Sequence, residues 1–404
     1  MTDTITDLDA LGPGFVQDPH PTYARLREQG PVHRVRLPGG VDAWLVVGFA
    51  EAKELLADPR LSNDWRNAPG GDPNASAPHM LIADPPDHTR LRKLVAKEFT
   101  PRRVAALGTR VQEIADELVD ALLARPDGTA DLVEDFAFPL PASVICELLG
   151  IPSSDHPVFR EWSRDALKQS DPAKAGAAMG ALAGYLAELI QRKRDRPVPD
   201  GAAGTDGDLL AALVRTSDDG DGRLSADELL GMSVLLLVAG HETTSGLLSA
   251  GLATLLQHPD QLAELRADWG LLDGAVEEMA RYVGPTGTSL HRFTLAPIEV
   301  GGVLIPGGGE LVLIGNTPAN RDPEQFPDPE RFDIHRPRTG HLAFGHGIHF
   351  CLGAQLARLE VRGAVRTLLQ RCPDLRLAGD ATPVWHDSVI SRGLAAVPVR
   401  TRAA

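Results

Sequence analysis

The sequence predicts a mainly α-helical protein with small β-sheets, an α+β class, on three observations. Helical periodicity recurs along most of the chain and culminates in an apolar helix over Ala226–Gln257, opened by Ser225 and Glu228 at capping-box spacing. A second long helix, Gly353–Leu369, follows a glycine-framed cysteine. Strand-type runs are few and short: Ala43–Gly48 (AWLVVG), strand and turn character over Thr294–Val312, and short strands at the C-terminus.

The elements follow in order. Pro21–Gln29 and Ala50–Ala57 read as short helices, the second ended near Pro59. Ser62–Pro86 is a long polar loop, of a length that more often serves function than connection. Helical pattern resumes over His88–Glu98 and Pro101–Leu123, then over Ala142–Leu149, Val158–Ser170 and Gly176–Arg194. Arg196–Gly207 is a loop and Leu209–Val214 a short helix before the long one. Helices near Pro259–Ala267 and Gly270–Tyr282 follow, and Pro318–Arg338 is irregular, rich in Pro, Asp and Arg. No linker divides the chain, so residues 1–404 are expected to form one domain.

Composition narrows the function classes. A formal charge of −15 argues against broad binding to nucleic acid, which requires a basic surface. Three cysteines, Cys146, Cys351 and Cys372, do not make a disulfide framework and suit a reducing cytoplasm. The acidic N-terminus has neither the basic flank nor the apolar run of a signal peptide or membrane anchor. The most apolar stretch, Val234–Ala239, is too short to span a bilayer. A cytoplasmic location is expected.

The sharpest local signal is Phe344–Gly353, FGHGIHFCLG. A thiolate ligand must be deprotonated, rigidly held and shielded. Gly345 and Gly347 allow a tight turn at positive φ, and Gly353 lets the backbone pass close to a flat ligand. Cys351 stands at the start of a helix whose amides stabilise a thiolate, and Phe344 is placed to pack against the sulfur. A lone cysteine is ordinarily a buried, inert one, and that suits Cys146 and Cys372. It does not explain the glycine and aromatic framing of Cys351. Zinc is disfavoured, because Cys351 has no CxxC partner.

The long helix carries Ala239-Gly240-His241-Glu242-Thr243-Thr244 between apolar flanks. A carboxylate there is costly without a purpose, Gly240 lowers helix stability and so implies a close approach, and a threonine hydroxyl can bond back to an i−4 carbonyl. The bland alternative is a helix bend with a solvated carboxylate. His241-Glu242 starts like a zinc-protease HExxH, but Ser245 stands where the second His is needed. Ser217–Glu228 resembles a calcium loop but lacks the first Asp, and Ser225 with Glu228 fits a helix cap better.

FGHGIHFCLG resembles the haem-binding loop FxxGxxxCxG of the cytochrome P-450 superfamily, matched at Phe344, Gly347, Cys351 and Gly353. The remaining motifs fall in the family's order, so the resemblance covers nearly the whole chain, in the style of members from actinomycete secondary metabolism. It implies a P-450 fold with the haem between the long helix and the cysteine-bearing helix. It implies haem b (iron protoporphyrin IX) on Cys351, with Phe344, Gly345, Gly353 and Ala239 against the cofactor. Glu242 would gate protons, and Thr243 would steady the oxygen under activation. His88, Arg92, Arg292 and His349 match positions that bind the haem carboxylates. Glu278 and Arg281 form an ExxR pair, which Arg331 of the PERF segment is expected to complete as a buried triad. Leu235, Val238, Thr288, Leu290 and Ile390 are the expected walls of a substrate pocket.

The implied reaction is hydroxylation or epoxidation of a mid-sized hydrophobic substrate with O2, as in polyketide, macrolide, terpenoid or steroid tailoring. The chain has no flavin or nicotinamide fingerprint, so electrons from NAD(P)H are expected through a ferredoxin reductase and a ferredoxin. Arg358 and Arg362, then Lys93 and Lys97, are the candidate docking cations. Two alternatives stay open: a peroxide-driven peroxygenase, and a non-catalytic haem sensor or carrier. The first lacks the acid–alcohol pair in its own sub-class, and the second has no need of one.

Overall fold

A computed structural model of the chain describes residues 5–72, 79–166, 171–195, 208–218, 224–338, 340–379, 384–386 and 392–402. Its axis is the helix Ala226–Gln257, with the predicted limits. The capping box forms in both directions: the Glu228 amide donates to Ser225 Oγ (3.1 Å), and the Ser225 amide to Glu228 Oε2 (2.7 Å). Asp219, Asp221 and Gly222 of the calcium-like loop lie outside the described residues.

This helix is apolar on all sides through its second half, so it runs through the core rather than along its edge. Residues Thr244 to Leu255 are all buried. Helices Gly108–Leu123, Leu272–Val283 and Ala354–Arg371 share one core cluster with it. Val111, Ile114, Ala115, Val119 and Leu122 recur at the three-to-four spacing of one helix face. Gly251 permits the crossing of Leu272–Val283, since a Cβ there would lie 2.9 Å from Met279 Sδ. A second cluster joins the central helix to Pro139–Leu148, His156–Ala166, Pro172–Asp195 and Leu209–Asp218.

The strands gather at the edges. A six-stranded mixed sheet runs in the order Thr6–Asp7, Val32–Arg36, Asp42–Val46, Leu311–Ile314, Arg292–Thr294, Leu61–Ser62. It brings Arg292 beside Val312 in antiparallel register. Arg376–Leu377, Pro398–Arg400 and Thr129–Asp131 form a three-stranded sheet, and Ile298–Val300 pairs with Val303–Ile305. Two expectations change. Pro101–Leu123 is two helices, Pro101–Ala106 and Gly108–Leu123, and the Ser62–Pro86 loop contains helical turns at Trp65–Asn67 and Met80–Ile82.

The buried triad also differs from expectation. Arg281 meets Glu278 with two bonds of 2.7 Å, and both side chains are 2% exposed. The second cation on Glu278 is Arg336, whose Nε is 3.2 Å from Oε2. Arg331 is exposed and contributes only its carbonyl, which accepts from Arg281 and Arg336. The PERF segment turns here, with the Arg331 amide bonded to Asp328 O, and the next pass of the chain brings Arg336 back to the carboxylate. Arg281→Ala is therefore expected to cost about 3–5 kcal/mol by stranding Glu278. Arg336→Ala should cost about 1–3 kcal/mol and Arg331→Ala within about 0.5 kcal/mol, read by urea unfolding. Equal costs for Arg331 and Arg336 would contradict this assignment.

Candidate active site

A cavity of about 400 Å³ lies between the central helix and the cysteine loop. Its wall is mostly apolar, and its volume is that of a small-molecule site. Leu235, Ala239 and Thr243 line it from the central helix, with Gly240, Thr244 and Leu247. At about 100° per residue these positions share one side of the helix. Val238 falls on the other side and does not line the cavity, contrary to expectation. Thr288 is also absent from the wall: it is 2% exposed, and the chain bends there, so that Thr286, Ser289 and Leu290 take the place instead. Ile390 lies outside the described residues.

The opposite wall is the loop of Cys351. Gly347 takes φ 72°, and a Cβ there would lie 2.8 Å from the Leu56 carbonyl, so the turn requires glycine. The Cys351 amide closes the loop by donating to Phe344 O at 2.9 Å. The surface that Cys351 exposes lines the cavity. Burial within the protein pushes its thiol up, while the Gly353 amide, Arg92 and Arg358 pull it down. Gly353 lines the cavity too, and a Cβ placed on it would meet no atom within 4 Å.

Across from the sulfur, Thr243 Oγ1 donates to Ala239 O at 3.0 Å, the i−4 bond that its position allows. Glu242 borders the same arc of the helix, half-buried. Burial alone pushes its carboxyl up from the ordinary value, with no opposing cation. Gly240 has its close approach: a Cβ there would lie 2.8 Å from Ile145 Cδ1.

Four basic groups converge on the cavity: His88, Arg92, Arg292 and His349. None of them makes an ion pair with a side chain among the described residues. His88 is 2% exposed with neither ring nitrogen bonded, and it lies 4.3 Å from the His349 ring. Arg292 is 4% exposed with Nε unbonded, and burial pulls it down to about 10 against the pull of Asp84. Burial, aided by His88, Arg292 and Arg92, holds His349 down to about 3. Arg92 donates to Phe350 O at 2.6 Å, tying its helix to the cysteine loop.

Sequence reasoning missed Glu360. It is 1% exposed, its Oε2 is unbonded, it lines the cavity, and burial raises its carboxyl well above the ordinary value. The available signal was a lone acid on the apolar side of ARLEVRGAV. Behind the loop, Glu277 grips Arg358 at 2.6 and 2.9 Å and His341 at 3.2 Å, and Arg358 lies over the Phe344 ring.

With this geometry in view, the chain can be compared with known proteins. Residues 151–373 match the cytochrome P450 family model. The chain is 57% identical over 405 residues to the cytochrome P450 monooxygenase PikC of Streptomyces venezuelae, covering 98% of this chain and 94% of that one. It is 46% identical to the 6-deoxyerythronolide B hydroxylase of Saccharopolyspora erythraea, covering 98% and 99%. The solved structure of the tirandamycin C-bound P450 monooxygenase TamI is similar at a TM-score of 0.89 and 43% identity, covering 98% of this chain and all of that one. The protein belongs to the cytochrome P450 family and is a P450 monooxygenase. The family implies a haem-thiolate iron cofactor. The cavity suits one: unpaired basic groups for its carboxylates, a cysteine on the wall, and glycines that keep the wall flat. Among the described residues no helix is long and apolar enough to cross a membrane.

Burial would raise the Glu277 carboxyl, but Arg358 and His341 hold it down to about 2, below its ordinary 4.5. A carboxyl depressed in the folded state stabilises fully above about 4.5, and the effect fades as pH falls toward 2. Glu277→Gln should therefore lower stability at pH 7, and the gap to the wild type should close on acidification. A gap that is constant with pH would show that the charge of Glu277 is not the cause.

Proposed function

We propose that this protein inserts one oxygen atom of O2 into a mid-sized hydrophobic natural product of macrolide or polyketide type, with Cys351 as the iron ligand of a haem b and with Glu242 and Thr243 managing protons. The observation that carries this reading is that Cys351 and Thr243 line one apolar cavity from opposing elements. The relatives named for 6-deoxyerythronolide B and tirandamycin C support the substrate class. Haem b suits the sequence, since none of the three cysteines stands in a Cys-x-x-Cys-His attachment run.

A haem held here would supply the activation of O2, for which two electrons from the redox partner and two protons are consumed, one oxygen atom entering the substrate and the other leaving as water. The residues around it do the rest. Cys351 Sγ would hold the iron and lend it negative charge, assisted by the Gly353 amide. Arg92, Arg292, His88 and His349 would bind the haem carboxylates, which would give partners to the unbonded nitrogens of His88 and Arg292. Glu242, its carboxyl raised by burial, would hold and release a proton, and Thr243 Oγ1, whose own proton goes to Ala239 O, would offer an acceptor on the cavity side. The apolar wall excludes water and selects a hydrophobic substrate. The acid–alcohol pair disfavours the peroxide-driven alternative and the sensor.

The test is absorption of the reduced protein under carbon monoxide. A strongly red-shifted Soret band is expected, lost in Cys351→Ala, and a wild-type spectrum without the shift would overturn the ligand assignment. Thr243→Ala should keep substrate affinity but release severalfold more hydrogen peroxide per NAD(P)H; wild-type coupling would remove Thr243 from the mechanism.

A ferredoxin is the proposed electron donor, but the order of docking cations changes. Arg358 is neutralised by Glu277, and Arg362 pairs with Asp273 at 3.0 Å. Lys93 and Lys97 are exposed and line a surface groove with Pro85, Thr89 and Leu94, which makes them the leading pair. The double reversal Lys93→Glu/Lys97→Glu should raise the ferredoxin KM and flatten its salt dependence. Unchanged values would exclude this face.

A further inference from the structure

The central helix has a polar contact on the side turned away from the cavity. His241, 1% exposed, places Nδ1 2.7 Å from Leu237 O. A carbonyl can only accept, so Nδ1 carries the proton and the neutral ring presents an acceptor at Nε2. Burial pushes the ring's pKa down, against the pull of the Leu237 carbonyl, and so favours the neutral form. Among the described residues, His241 Nε2 has no hydrogen-bond partner, and neither does the buried donor Arg160 Nε. Both residues line one small pocket of about 10 Å³, together with Ser163, His156, Cys146 and Leu237. That volume is roughly one water. A buried donor and a buried acceptor left unmade are each costly, and one molecule able to both donate and accept satisfies the two at once.

We propose that one structural water fills this void, donating to His241 Nε2 and accepting from Arg160 Nε. Through it the helix His156–Ala166 fixes His241, and with it the turn that carries Glu242 and Thr243. His241 is then a positioning residue. Two side chains on this turn bond back to carbonyls four residues earlier, His241 to Leu237 and Thr243 to Ala239 at 3.0 Å, and such bonds bend a helix locally. The ring of Phe138 closes on His241 edge-on at 5.6 Å, and Ile145 closes on Gly240. The turn is thus clamped from behind by packing on two sides and by the water on a third. Its effect on turnover rests on the role given above to Glu242 and Thr243; the water itself does not.

A crystal structure of the holoenzyme should show one water peak within hydrogen-bond distance of both His241 Nε2 and Arg160 Nε. An empty void, or a direct His241–Arg160 contact, would overturn the assignment. His241→Phe keeps the ring but cannot bond, Arg160→Met removes the donor across the void, and His241→Gln returns an acceptor near Nε2. The first two should raise peroxide released per NAD(P)H severalfold at unchanged substrate affinity, and the third should restore most of the coupling. Loss of coupling in His241→Phe but not in Arg160→Met would refute the water link. Should the water be present while Thr243→Ala couples like the wild type, the failure lies with the acid–alcohol assignment and the water stands.

Discussion

Buried basic side chains without acidic partners are the constraint around which this molecule is arranged. His88, Arg92, Arg292 and His349 surround one cavity with no acidic ion-pair partner among the described residues, and two of them leave ring or guanidinium nitrogens unbonded there. Each such atom costs stability in the protein alone. Only a scaffold fixed by other means can hold them apart and aimed inward. The central helix supplies one wall through residues buried on all sides, and the mixed sheet brings Arg292 to the other by pairing it with Val312.

The loop of Cys351 depends on the same principle with the sign reversed. Its surroundings are charges that are paired. Glu278 is held between Arg281 and Arg336, and the arginines in turn bind the carbonyls of Asn320, Pro329 and Arg331. Glu277 holds Arg358 against Phe344. Paired charges make the cysteine side stiff, and basic groups without acidic partners among the described residues leave the cavity receptive. Glu277 and Glu278 are neighbours on one helix and hold different cations.

Much of this was legible in the sequence because it is written in local patterns. The limits of the central helix follow from Ser225, Glu228 and the run of apolar residues, all within one element. The cysteine loop declares itself through glycines whose positive φ or close contacts leave few substitutes. What was not legible depends on how separate segments meet. Arg331 and Arg336 are both plausible partners for Glu278 by composition, and only the turn after Asp328 decides between them. Val238 and Leu235 are equally apolar, and the orientation of the helix selects one. The neutralisation of Arg358 joins residues 81 positions apart, which no spacing rule reaches. Glu360 announced itself only as an acid in an apolar stripe.

The unpaired basic groups tie the life of the polypeptide to its prosthetic group. A ligand that binds only the folded state and satisfies the unbonded nitrogens of His88 and Arg292 raises the free energy of unfolding with its own concentration. Before the group arrives, the chain carries the full cost of those sites, opens more often and is exposed to proteolysis. Iron and porphyrin supply would then govern how much of this protein a cell retains, as well as how much of it is active. Synthesis in porphyrin-starved cells should yield little folded chain, rather than a stock of empty enzyme awaiting its cofactor.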